Sequence, residues 1–106
     1  MIIEGIKDKK GYDIIVLNLQ EIPHSPCSYF VICSANSVVQ IKAIANSIQK
    51  LMMEKLNLNK WGNEGEGTDW YLLDYSNIVI HIFKKDIREK YKLEELWRDG
   101  IIQTIN

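Results

Sequence analysis

Apolar positions in this chain follow two patterns, short unbroken runs and longer repeats at three- and four-residue spacing. Asp13 to Leu19 (DIIVLNL) and Tyr29 to Cys33 (YFVIC) are runs of β-branched, aromatic and aliphatic residues. Both are strand-sized, and their consecutive apolar residues predict burial on two faces, as in a sheet covered by helices. Between them, Glu21 to Cys27 holds Pro23 and Pro26 and reads as a loop. Ile2, Ile3 and Ile6 share one side of a short helix over residues 2–9, weakened by Gly5 and ended by Gly11.

The spaced pattern is strongest after Ser37. Ser37-Val38-Val39-Gln40 fits a capping box, a hydroxyl at the N-cap with a Gln three residues on. Behind it Ile41, Ile44, Ala45, Ile48, Leu51 and Met52 repeat at helical spacing to about Leu56, while Lys42, Asn46, Gln49, Lys50 and Lys55 take the outer side. Two buried strands followed by an amphipathic helix predict a layered α/β domain. In the tail, Asp86-Ile-Arg-Glu89 is another capping arrangement, followed by Tyr91, Leu93, Leu96 and Trp97 at helix-like spacing. Leu93, Leu96 and Trp97 are expected to dock inward, and Lys90, Lys92, Glu94 and Glu95 to face solvent.

Asp69 to Tyr75 (DWYLLDY) and Asn77 to Phe83 (NIVIHIF) read as a hairpin around Ser76-Asn77. That turn pairs Tyr75 with Ile78, Asp74 with Val79, Leu72 with His81 and Trp70 with Phe83. Paired residues share a face, so one face collects Tyr71, Leu73, Tyr75, Ile78, Ile80 and Ile82, an ordinary core set. The other collects Trp70, Leu72, Asp74, Val79, His81 and Phe83, with Asp74 diagonal to His81 and in reach of a hydrogen bond. Either a helix packs on this mixed face, with Asp74 and His81 as an internal polar pair, or it is a docking patch of aromatic anchors with a polar rim.

Composition narrows the class. With 106 residues, 46% hydrophobic and 25% charged, the chain reads as one globular domain over residues 1–106. Its 13 Lys plus Arg against 14 Asp plus Glu leave a formal charge of -1, which argues against a nucleic-acid binder held by bulk electrostatics. Neither a signal peptide nor an apolar run near the ~18 residues of a membrane span is read here, so a cytoplasmic location is expected. Cys27 and Cys33 lie near one strand, where ~3.3 Å per residue separates their Cα atoms by up to ~20 Å. A disulfide needs less than about 7 Å, so buried free thiols are expected.

Catalytic constellations are scarce. Gly62, Gly65 and Gly67 space a loop, but it lacks the Gly-Lys-Ser/Thr of a Walker loop, and Glu64, Glu66 and Asp69 would repel phosphate. A flexible acidic loop is the better reading. No serine sits in a Gly-x-Ser-x-Gly elbow, Cys33 and His81 lack a nucleophile turn, and His24 reads as an exposed loop residue. Asp74 and His81 lack a third metal ligand. The hairpin and core strands also lack the Asp-x-Asp pair that metal-dependent nucleotidyl transfer uses. Binding rather than catalysis is expected, with no metal and no cofactor.

Taken together, Asp13-Ile-Ile-Val-Leu17, Tyr29-Phe-Val-Ile-Cys-Ser34, Ser37 and Gln40 resemble the first half of the ribosomal silencing factor (Iojap) family. Glu64-Gly65, Trp70, Leu72, Asp74, His81, Phe83, Arg88, Tyr91, Leu93, Glu94, Leu96, Trp97 and Asp99 resemble its second half. The order and spacing of these residues from about residue 2 to 99 carry the likeness, with departures at Asn18, Ser28 and Ala35. The resemblance implies a mixed β-sheet with helices packed on it, related to nucleotidyltransferases but without their catalytic acids. It also implies binding to ribosomal protein fourteen of the large ribosomal subunit, which blocks joining of the small subunit and lowers translation when nutrients are short.

The expected contact residues are Glu64, Glu66, Asp69, Trp70, Leu72, Asp74, His81 and Phe83. Apolar members would supply area and the acids would meet a basic partner, since residues 61–77 hold four acids and no Lys or Arg. Direct nucleic-acid contact is expected to be small. The competing readings are a homodimer through the aromatic face and a degenerate nucleotidyltransferase with residual nucleotide binding.

Overall fold

The structure, a computed structural model, describes residues 1–105. The run from Tyr12 to Asn18 is strand β1, and Tyr29–Ala35 is β2, antiparallel to it. Their successive apolar residues point to opposite sides: Ile14 packs into one core cluster, Ile15 and Leu17 into the other. The hairpin strands β4 (Trp70–Asp74) and β5 (Ile78–Lys84) pair in the expected register, Trp70 opposite Phe83, Leu72 opposite His81 and Asp74 opposite Val79. β5 then lies parallel to β2, from Tyr29 beside Ile78 to Ala35 beside Lys84.

Two further strands complete a mixed sheet of order β3-β4-β5-β2-β1-β6. β3 (Gly62–Glu64) lies antiparallel to β4, and β6 (Ile101–Ile105) antiparallel to β1. Neither was legible in the pattern. β3 has three residues, one a glycine, and its place depends on β4. β6 leaves Ile101 and Ile102 exposed, so it carries no alternation toward a core.

Helices α1 (Ile2–Asp8) and α2 (Val38–Leu56) cover one face of the sheet. Ser37 is the α2 N-cap in extended conformation, and its Oγ accepts the Gln40 N–H at 3.1 Å. Gln40 returns its Oε1 to the Asn36 N–H at 2.7 Å, one residue earlier than the standard box. Its Nε2 donates to the Lys9 and Lys10 carbonyls, tying the end of α1 to the start of α2. Gly5, which weakens α1 locally, is buried where α1 crosses α2; a Cβ there would stand 3.0 Å from the Ile48 Cα. α2 ends at Asn57, whose φ of +53° is the left-handed cap asparagine tolerates.

Helices α3 (Lys85–Tyr91) and α4 (Leu93–Leu96), with the loop carrying Ile22 and Cys27, lie on part of the opposite face. The expected single tail helix is broken at Lys92, with φ +48°. The break turns Leu96 outward, 74% exposed, against its expected inward docking, while Leu93 and Trp97 do pack on the sheet. The capping arrangement at Asp86 is not made. β5 runs directly into α3, so Lys84 occupies the cap and Asp86 falls in the first turn. Cys27 and Cys33 are free, as spacing predicted, and burial pushes the Cys33 thiol up to about 12.

Replacing Ser37 with alanine removes the side-chain acceptor of the Gln40 N–H at the α2 N-terminus. The expected loss is about 1 kcal/mol, read as a lower urea midpoint at unchanged m-value; an unchanged midpoint would show that the cap contributes nothing.

Candidate partner-binding face

The sheet face opposite α1 and α2 carries the sequence-derived candidates, and the tail divides them. Phe83 is 0% exposed, in the core cluster with Ile15, Leu17, Leu19, Phe30 and Ile32, and His81 is 5% exposed with its ring against Phe30 and Phe83. Ile87, Leu93 and Trp97 pack against this cluster from the tail, so the helix-packing alternative holds for His81 and Phe83. They lie beneath the surface and are out of reach as direct contacts. Trp70, Leu72 and Asp74, nearer the β3 edge, remain half-buried.

β3 brings the acids to this margin. Glu64 pairs with Leu72 and Gly62 with Asp74, so Glu64 shares their face. Glu64, Gly65, Trp70 and Leu72 line a shallow depression of about 170 Å³. The stretch expected to be a flexible loop is a strand followed by a bonded turn. Thr68 donates its N–H (3.0 Å) and hydroxyl (2.7 Å) to the Gly65 carbonyl. Gly65 holds φ +82°, and a Cβ there would overlap the Trp70 carbonyl oxygen, so this turn requires glycine. Glu66 stands exposed at the turn, and Asp69 is half-buried beside it.

Trp70 is the centre of the arrangement. Its ring stacks on Phe83 at 4.7 Å between centroids and meets Tyr91 at 5.1 Å. Its Nε1 donates to His81 Nδ1 at 3.0 Å. The expected Asp74–His81 bond is absent: Asp74 Oδ1 instead accepts the Ser76 N–H at 2.7 Å, closing its own turn. Burial lowers the His81 pKa from 6.5 to about 4, so the imidazole is neutral at pH 7.

Three residues around this face were not singled out as contacts. Tyr91, noted only in the helix-like spacing of the tail and in the family pattern, is 53% exposed and packs against Trp70. Trp61, 82% exposed, is tied beside the hairpin by its N–H to the Asp74 carbonyl at 2.6 Å. Arg88 is buried and donates to Ser34 Oγ at 2.8 Å and to the Asp13 carbonyl. With Glu94 at 3.5 Å from its Nε, it fastens the tail across β1 and β2. No spacing rule marks it; only its place in the family pattern does.

Residues 1–106 match the family model described as ribosomal silencing factor during starvation. The chain belongs to the ribosomal silencing factor family. It is 38% identical to the ribosomal silencing factor of Bacillus subtilis over 100 residues, 93% of this chain and 83% of that one. A Chromobacterium violaceum protein of known crystal structure superposes with a TM-score of 0.81 at 33% identity, covering 91% of this chain and 79% of that one. Mouse mitochondrial assembly of ribosomal large subunit protein 1 is 29% identical over 101 residues, 92% of this chain and 43% of its own length. The silencing-factor family thus extends to the mixed sheet expected from the resemblance.

In this member of the family, neutral His81 links stability to pH. The folded pKa of about 4 lies below the unfolded value near 6.5. The stabilisation is therefore complete above pH 6.5 and lost as pH falls toward 4, because the unfolded chain then binds the proton. Between pH 7 and pH 5 the expected loss is about 2 kcal/mol. Urea titrations should show that loss to be smaller by this amount in His81→Phe; equal losses in both proteins would refute it.

Proposed function

We propose that this protein binds the large ribosomal subunit through ribosomal protein fourteen and sterically prevents the small subunit from joining. Translation is thereby lowered when nutrients are limited. The observation that carries the reading is the β3–β4 margin, where Trp70 and Leu72 lie beside Glu64 on an open face and Glu66 stands exposed at the adjoining turn. Half-buried aromatic and aliphatic groups supply contact area, and an acidic rim complements a basic ribosomal protein. The family's description, a silencing factor during starvation, supports the regulatory part, and the mouse relative's name supports the large subunit.

Size makes the steric mechanism adequate. The protein measures 32 × 32 × 26 Å, thick enough to hold apart surfaces that must meet within hydrogen-bonding distance. Acidic residues at the rim act chiefly on the association rate, which should fall as salt rises. No helix among the described residues is long and apolar enough to cross a membrane, and the proposed site of action is the cytoplasm.

Co-sedimentation with purified large subunits tests the face. Wild type should pellet with the subunits, whereas Glu64→Lys with Glu66→Lys, both exposed positions, should remain largely in the supernatant while keeping its melting temperature. Light scattering of subunit joining tests the mechanism: saturating protein should suppress the rise in scatter. Normal pelleting of the double variant would sink the face, and unaltered joining would sink the mechanism.

A further inference from the structure

His81 is hard to explain as packing alone. Its ring lies in an aromatic layer, edge-on to Phe30 at 4.7 Å and near-parallel to Phe83 at 6.0 Å. An indole N–H only donates, so His81 Nδ1 must be the unprotonated nitrogen and Nε2 must carry the hydrogen. That Nε2 is buried and has no hydrogen-bond partner among the described residues. A phenylalanine would fill the same space without the orphaned donor. What histidine adds here is one acceptor, and that acceptor is aimed at Trp70.

Trp70 forms one wall of the depression beside Glu64, Gly65 and Leu72. Stacking on Phe83 and contact with Tyr91 restrain the tilt of its ring but do not by themselves exclude a half-turn flip about its Cβ–Cγ bond, which keeps the ring plane and carries Nε1 to the other side. A hydrogen bond from Nε1 removes that freedom. We propose, on the reading that this face docks the large subunit, that His81 is a positioning residue that locks the Trp70 indole before the partner arrives. His81 itself touches no partner. It acts by removing the cost of ordering a large side chain at the moment of docking.

Variants separate this role from bulk packing. The carbonyl oxygen of an asparagine falls near the place of Nδ1, so His81→Asn keeps the acceptor; His81→Leu keeps apolar volume and loses it. The first readout needs no ribosome: hydrogen exchange of the Trp70 indole N–H by NMR, its signal identified by its loss in Trp70→Phe. Exchange should be slow in wild type and His81→Asn and fast in His81→Leu.

The second readout is affinity for large subunits. His81→Leu should bind about three- to tenfold more weakly, the range for ordering one side chain, with His81→Asn near wild type. In the Trp70→Phe background, where no indole donor remains, His81→Leu should have no further effect. Weakening of His81→Asn and His81→Leu alike would assign the histidine to packing and overturn the positioning role. Unweakened binding by His81→Leu, beside weakened Glu64→Lys with Glu66→Lys, would overturn it while leaving the docking face intact. If wild type does not bind subunits, the docking reading fails, and the positioning role with it.

Discussion

The parallel pairing of β2 with β5 is the constraint on which this fold depends. It joins two antiparallel groups, β6-β1-β2 and β5-β4-β3, into one sheet across a sequence gap that includes α2, β3 and β4. A parallel pair needs a crossover, and α2 is the helix within that connection, so its packing face is dictated by the strands it spans. Ile41, Ile44, Ala45, Ile48 and Met52 meet Val31, Cys33, Ile80 and Ile82 in one cluster. Both central strands are thereby closed on this side. The opposite side is closed only in part, by a tail fastened through Arg88, and the candidate site lies where that covering stops.

The aromatic face shows how far alternation reaches: it groups residues on one face and leaves their burial open. Hairpin alternation grouped Trp70, Leu72, Asp74, Val79, His81 and Phe83, and the register agrees. Alternation cannot say what lies above a face. The two competing readings turn out to apply to different ends of it: a packed interior at Phe83 and His81, an open margin at Trp70, Leu72 and Asp74. The polar pairing inferred from diagonal position failed because a closer backbone donor, Ser76 N–H, was available to Asp74. The register read from the sequence made Trp70 as much a diagonal neighbour of His81 as Asp74 is, and only the side-chain directions in the folded chain decide that the indole reaches Nδ1.

Charge followed the same division. The average of -1 hides a run of four acids and no base from residue 61 to 77. That run was visible in the sequence, but the placement of Glu64 beside Leu72 depended on β3. Gly65 and Thr68 turn the chain so that Glu64 joins the face of Leu72 and Glu66 stands clear of it. An otherwise mildly acidic domain thereby acquires a localised acidic rim next to an aromatic anchor, a combination suited to a basic protein surface within an RNA-rich particle.

Local chemistry settled a good part of this molecule. The runs at β1 and β2, the cap and stripe of α2, the hairpin register and the free thiols follow from alternation, periodicity and spacing, all of which act between near neighbours. The family pattern, read in order along the chain, carried the fold class as well. What required the folded chain was everything set by distant partners. β3 and β6 exist because β4 and β1 offer unpaired edges, and the tail helix breaks at Lys92 while Ile87 before it and Leu93 after it pack on one core cluster. The choice between buried and open ends of the aromatic face belongs there too. Burial depends on what comes to rest on a surface, and no residue's own neighbours in sequence encode that.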